Sequence, residues 1–126
     1  MGTKNMKPTD GELEILQILW QKGEATVREV HEMITLQKDS GYTTTLKLMQ
    51  IMYEKGLVKR DDSNKTHIYR AAISKNKTQQ QILGKVIHTL FNGSAGSLVI
   101  QALGNHKPTE QEITAIEELL TQLKSK

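Results

Sequence analysis

The chain has 126 residues, 37% of them apolar and 25% charged, enough to bury a core over one ordinary domain or a small domain with a helical appendage. Cysteine is absent, which excludes a disulfide framework, a cysteine nucleophile and thiolate metal sites, and suits a reducing cytoplasm. The net charge of +3 does not by itself imply nucleic acid. No stretch approaches the ~20 apolar residues of a membrane span, and the opening MGTKNMKPTDGE has no apolar run, so neither a signal peptide nor an anchor is expected.

Thr9 and Glu12 have capping-box spacing and open a first helix over Asp10 to about Lys22, where Gly23 offers a left-handed stop. Leu13, Ile15, Leu16, Leu19 and Trp20 give it one apolar side, with Trp20 read as a core residue. Thr26 and Glu29 repeat the capping box and start a second helix that runs to about Leu36. Its inner face is Val27, Val30 and Ile34, and Arg28, His31 and Glu32 point outward. Gln37 to Gly41 is a polar break.

A third helix is predicted from about Thr43 to Lys55, ended by Gly56. Thr45, Leu48, Met49 and Met52 recur at helical spacing and pack inward; Thr43, Thr44, Leu46, Lys47, Gln50 and Ile51 are left near the outer side. Three successive threonines are indifferent helix formers and need a reason. One is capping; another is close approach of the helix N-terminus to phosphates and base edges. Lys47 and Gln50 have the reach for base edges, and a Thr or Leu methyl can meet a thymine methyl. An ordinary solvated face has the same pattern.

Leu57-Val58 and Ile68-Tyr69 bracket a polar tip from Asp61 to Thr66, which is a strand, turn, strand pattern. Lys59, Arg60, Lys65 and Arg70 lie on or beside this hairpin, where they could meet phosphates. From Lys38 to Arg70 there are seven Lys or Arg against four acids, a modest local excess. Helix, turn, helix, wing is an order that places one helix in a major groove and a hairpin on the flanking backbone.

Ser74 to Lys77 reads as a connector and helix start, followed by a helix over Gln79 to Phe91 with Ile82, Leu83, Val86, Leu90 and Phe91 on one stripe. Gly93 to Gly96 breaks it, and Leu98 to Leu103 is a short apolar helix. Thr109 with Glu112 opens a last helix carrying Ile113, Ile116, Leu120 and Leu123. Three short helices bury little alone. A second copy of the chain would cover Ile82, Val86, Leu90, Leu98, Ile113, Ile116 and Leu120, and a two-fold dimer suits two half-sites about 34–36 Å apart. The predicted architecture is therefore mostly α with a small β-hairpin wing: a winged helix-turn-helix domain over 1–73 and a helical dimerisation region over 74–126.

No catalytic constellation, cofactor motif or metal site emerges. His31, His67, His88 and His106 are scattered, and the glutamates of the last helix fit a solvated face. Two functions stay open on these residues: a DNA-binding regulator, and a protein-interaction module built on the same winged fold.

The runs PTDGELEILQILWQKGEATVREVHEMI, YTTTLKLMQIMYEKGLVKR and HIYRAAIS resemble the BlaI/MecI family of penicillinase and methicillin-resistance repressors, which includes copper-responsive CopY-type members. The likeness continues through FNGSAGSLVIQAL and the TEQEI helix. It implies a homodimeric cytoplasmic repressor on a palindromic double-stranded DNA operator, with Thr43, Thr44, Leu46 and Lys47 facing bases. In antibiotic-responsive members, a membrane-bound sensor protease system triggers cleavage of an Asn-Phe bond in the dimerisation region. The matching place here is Gln101-Ala102, which departs from that pattern, and the cysteine cluster of copper-type members is absent. Ile51 stands where many members have arginine.

Overall fold

The computed structural model describes residues 7–126. The first six residues of the opening stretch, on which part of the no-leader expectation rests, lie outside the described residues. The elements in order are α1 (Asp10–Lys22), α2 (Val27–Thr35), α3 (Tyr42–Lys55), β1 (Val58–Asp61), β2 (Ile68–Ala71), α4 (Lys75–Leu90), α5 (Ala95–Asn105) and α6 (Glu110–Lys124). The chain divides into two compact units, the first ending at Gln79 and the second spanning Gln80–Lys126. The mostly helical chain with one antiparallel hairpin is the predicted fold class.

Local sequence sets most helix starts. At Thr9, Thr26 and Thr109 the threonine Oγ1 accepts from the backbone N–H three residues on, and the glutamate there accepts from the threonine's own N–H. Two otherwise unpaired donors are satisfied at each start. The Thr26 backbone N–H also holds the Glu29 carboxyl below its ordinary value. α3 starts differently. Its N-cap is Gly41, with no side-chain capping bond, so the capping role read for the three threonines is not what they do. Thr43 and Thr44 are exposed in the first turn, and Thr45 is buried. The helix ends at Gly56, whose φ of 81° is the left-handed conformation that lets the chain turn directly into β1.

The first unit's core consists of Ile15, Leu16 and Leu19 of α1; Val27, Val30 and Ile34 of α2; Met49 and Met52 of α3; and Ala25, Leu57, Val58 and Tyr69 around the hairpin. Each fully buried aliphatic side chain contributes about 1.5–3 kcal/mol. Trp20 packs against this core and its Nε1–H donates to the Ile73 carbonyl at 3.0 Å. Inside the same unit, Glu12 is only 2% exposed. Its Oε1 accepts from the Thr9 N–H and from Lys55 Nζ at 2.6 Å, so the capping glutamate of α1 also holds the last turn of α3.

The hairpin register is Val58↔Ala71, Lys59↔Arg70, Arg60↔Tyr69 and Asp61↔Ile68. Alternation puts Val58, Arg60, Tyr69 and Ala71 on the face toward the core, and Lys59 and Arg70 on the other. Ala25 adds a third pairing: its N–H donates to the Tyr69 carbonyl at 2.9 Å, and the Tyr69 N–H donates back at 2.8 Å. At the tip, the Asp61 carboxylate accepts from the Ser63 N–H at 2.9 Å.

α4 begins at Lys75, ahead of the periodic apolar stripe, because the Ser74 Oγ accepts from the Lys77 N–H. α5 is also longer than its apolar run, capped by Ser94 through the Ser97 N–H. In the second unit no hydrophobic side chain is fully buried. Among the described residues no single helix is long and apolar enough to cross a membrane.

Two outcomes follow from these contacts. Lys55→Met leaves the buried Glu12 carboxylate without its cation and is expected to lower stability by about 3 kcal/mol; adding Glu12→Gln recovers part of the loss, as read from urea midpoints. For the wing, the Ser63 N–H holds the Asp61 carboxyl below its ordinary value. The resulting stability is fully present above the ordinary aspartate value and is lost as pH falls through the lowered folded value. The exchange protection of the Ser63 amide, taken relative to its intrinsic rate at each pH, should therefore fall in acid, and Asp61→Asn should remove that pH dependence.

Candidate nucleic-acid interface

α3 is held in place by its neighbours on the side opposite its exposed stripe. Thr45, Met49 and Met52 are buried against α1 and α2. The Thr45 hydroxyl lies 3.1 Å from His31 Nδ1, and the His31 ring meets Tyr42 edge-on at 5.5 Å between centroids. His31 is therefore half-buried between α2 and α3 and does not point outward as its place beside Arg28 and Glu32 suggested. The reason is angular: it lies at the edge of the Val27–Val30–Ile34 face, close enough for a polar ring to turn in toward a polar partner.

The outer stripe carries Thr43, Thr44, Lys47 and Gln50, all exposed, with Ile51 41% exposed beside them. Leu46 is not on that outer side; it is half-buried, packs against the core and lines a groove. This groove runs between the start of α2, α3 and the wing. Its walls are Thr26, Val27, Arg28, Tyr42, Leu46, Gln50, Arg60, Lys65, Thr66, His67 and Tyr69. It thus gathers Arg28, Leu46, Gln50, Arg60 and Lys65 in one place, and leaves Thr43, Thr44, Lys47 and Lys59 on the adjoining surfaces.

The cations differ in availability. Arg28, Lys47, Lys59 and Lys65 are exposed and make no ion pair among the described residues. Lys59 faces Arg70 across the ribbon. Like charges directly opposite cost stability, and an anion lying along that face would relieve it. Arg60 is the exception. Its guanidinium lies 4.1 Å above the Tyr53 ring centroid, and its Nε and Nη2 donate to the two carboxylate oxygens of Asp62 at 2.7 and 3.3 Å. That carboxylate raises the guanidinium pKa further above its already high value. The expected phosphate contact thus already holds an anion of the chain itself.

Sequence reading passed over Tyr42, Thr66 and His67 as part of this surface. Tyr42 directly precedes the threonines and could have been found by extending the helix one residue. Thr66 and His67 depend on the hairpin register, which the sequence leaves loose. The groove holds cations, amide and hydroxyl donors and apolar walls, a set suited to a polyanion with base edges. Among the described residues no group of three or more His, Asp or Glu is arranged to hold a metal ion.

The family model described as penicillinase repressor matches residues 8–122. The chain is 25% identical over 122 residues to the methicillin resistance regulatory protein MecI of Staphylococcus aureus (strain N315), covering 97% of this chain and 99% of that protein. It is 22% identical to the penicillinase repressor of Staphylococcus aureus over the full length of both. Over 62 residues it is 36% identical to the transcriptional regulator BlaI of Mycobacterium tuberculosis (strain CDC 1551 / Oshkosh), a match covering 47% of this chain and 45% of that one. A fold with an exposed helix beside a basic wing and a family match over nearly all of the chain agree: the chain belongs to the penicillinase repressor family.

Proposed function

We propose that the chain works as a homodimer that binds a palindromic DNA operator, with α3 in the major groove and the wing on the flanking backbone. Membership of a family of transcriptional repressors supports repression as the outcome. The observation that carries the DNA reading is the groove itself, where α3, the start of α2 and the wing converge with Arg28, Gln50, Arg60 and Lys65. Lys47, Thr43 and Thr44 have the exposure that base reading needs, and Lys59, Lys65 and Arg28 are the phosphate contacts. Binding of this kind releases counterions and weakens steeply with salt.

Dimerisation is supported by the second unit. Leu90 and Ile100 are 73% and 74% exposed, and Leu83, Val99, Leu103, Ile113, Leu119, Leu120 and Leu123 are exposed as well. Ile82, Val86, Leu98 and Ile116 are half-buried beside them. So many exposed aliphatic residues on three helices exceed what a monomer's surface ordinarily carries, and a second copy would remove them from water.

Sequence selection from a random duplex library tests both halves. The expected product is an inverted repeat with half-sites about one turn, or a multiple of it, apart. Lys47→Ala should reduce the preference for that repeat over random DNA by roughly tenfold. No enriched sequence, with partner binding insensitive to salt, would favour the interaction-module reading.

For release from DNA, we propose cleavage in the second unit near Gln101-Ala102, carried out by a membrane sensor protease system. That bond lies inside α5, and both residues are exposed. A protease needs the helix locally unwound to reach it, and a cut there would divide α5 and remove the avidity of two linked sites. Mass spectrometry of chain recovered from induced cells should find fragments meeting at this bond; intact chain alone would reject the proposal.

A further inference from the structure

The shortest ion pair on the wing joins two residues of the wing itself. Arg60 presents Nε and Nη2 to Asp62 as a two-pronged fork, at 2.7 and 3.3 Å. This is the arrangement by which arginine takes a carboxylate or a phosphate, since each offers two oxygens to the same pair of donors. The Tyr53 ring supports the guanidinium from below at 4.1 Å, so the fork keeps its place whichever anion it holds. The Arg60 side chain is 22% exposed and that of Asp62 49%, so the arginine is fixed while the aspartate can leave into water. Arg60 also lines the groove with Arg28, Lys65, Thr66 and His67.

The wing does not need Asp62 for its shape. The turn is made by the neighbouring Asp61, whose carboxylate accepts from the Ser63 N–H. Register is set by the β1–β2 ladder and the Ala25 bridge. Among the described residues the Asp62 side chain makes no hydrogen bond to the backbone; its partners are Arg60 and, at 3.6 Å, the His67 Nδ1.

We propose that Asp62 is an internal competitor for the DNA backbone, occupying the phosphate site at Arg60 and lowering the chain's sequence-independent affinity for duplex DNA. The inference rests on the DNA-binding reading above. A phosphodiester that seats on Arg60 must displace a carboxylate already there. Backbone contacts add affinity without sequence information, so weakening one of them leaves more of the discrimination to α3. Each copy of the wing carries the same restraint.

Asp62→Asn keeps the size and removes the charge. This variant should bind random-sequence duplex about twofold to fivefold more tightly, a size set by the modest strength of an exposed ion pair. The log–log salt slope should steepen by about 0.9 for each wing that gains a phosphate. In an Arg60→Ala background the same substitution should have a much smaller effect, because the contact it releases is gone. Unchanged or weaker binding by Asp62→Asn overturns the proposal, as does an equal gain in the Arg60→Ala background, which would make Asp62 only a repelling charge. A second measurement does not depend on DNA. Inorganic phosphate titrated into the isotope-labelled full chain should shift the Arg60 Nε–H resonance in Asp62→Asn and not in the parent chain. If both respond alike, or neither does, the anion site is not gated by Asp62. A response in Asp62→Asn alone, from a protein that retains no duplex, would uphold the gated site and reject the DNA-binding reading.

Discussion

A hairpin with two four-residue strands is marginal at best in water when it stands alone. Here it is held through Tyr69. The backbone of that residue exchanges both hydrogen bonds with Ala25, and its side chain is 2% exposed against the core. Ala25 lies in the short link between α1 and α2, so one bridge ties the wing to the start of α2. Arg60 pairs opposite Tyr69 and is thereby turned to the groove side. Without the bridge, the wing would lose its angle to α3 and the groove would lose a wall.

α3 is constrained from the other side. Threonine would be a poor choice at its buried position 45 if it only filled space, because an unsatisfied hydroxyl in a core costs about 1–3 kcal/mol. His31 removes that cost, and its ring contact with Tyr42 extends the same link to the first residue of the helix. The pair fixes rotation of α3 about its axis more tightly than methionines 49 and 52 can, since thioether side chains adapt to several packings. Rotation is the quantity that decides whether Lys47 and Gln50 or Leu48 face outward. A polar contact in the interior thus controls the direction of an exposed stripe.

Much of this fold was legible because its signals are local. Capping boxes at Thr9, Thr26 and Thr109 need only three residues, and the stops at Gly23 and Gly56 need one. The apolar stripes of α1, α2 and α3 were legible for the same reason. What could not be read depends on residues far apart in the chain. Glu12 looks like a surface cap until Lys55, 43 positions later, is brought beside it. The Ala25 bridge is a single residue pair and has no period to detect. His31 was misread because helical periodicity sorts a face from its opposite and says little about residues on the border. Of the two roles that fit the threonines of α3, capping falls away, because glycine at Gly41 takes that place. The candidate site was half legible: the cations were visible by type, but whether each is free depends on register, and Asp62 was not weighed as a partner of Arg60.

The two ends of the chain place opposite demands on their surfaces, and this explains why the composition is so unremarkable as a whole. The first unit keeps most of its apolar residues inside and displays cations, with a carboxylate set against one of them. The second unit buries no large side chain fully and exposes leucines along all three of its helices. Averaged together these give a small positive charge and an ordinary apolar fraction. The separation matters for binding. A duplex attracts any basic surface, so a protein that must find one site among many gains more from two weak, correctly spaced readers than from one strongly basic reader. If the chain binds DNA as a dimer, as proposed, restraining Arg60 in the wing and exposing an apolar face in the second unit would act toward the same end: the first would lower what each copy gains from arbitrary backbone, and the second would supply the pairing that rewards only the right spacing.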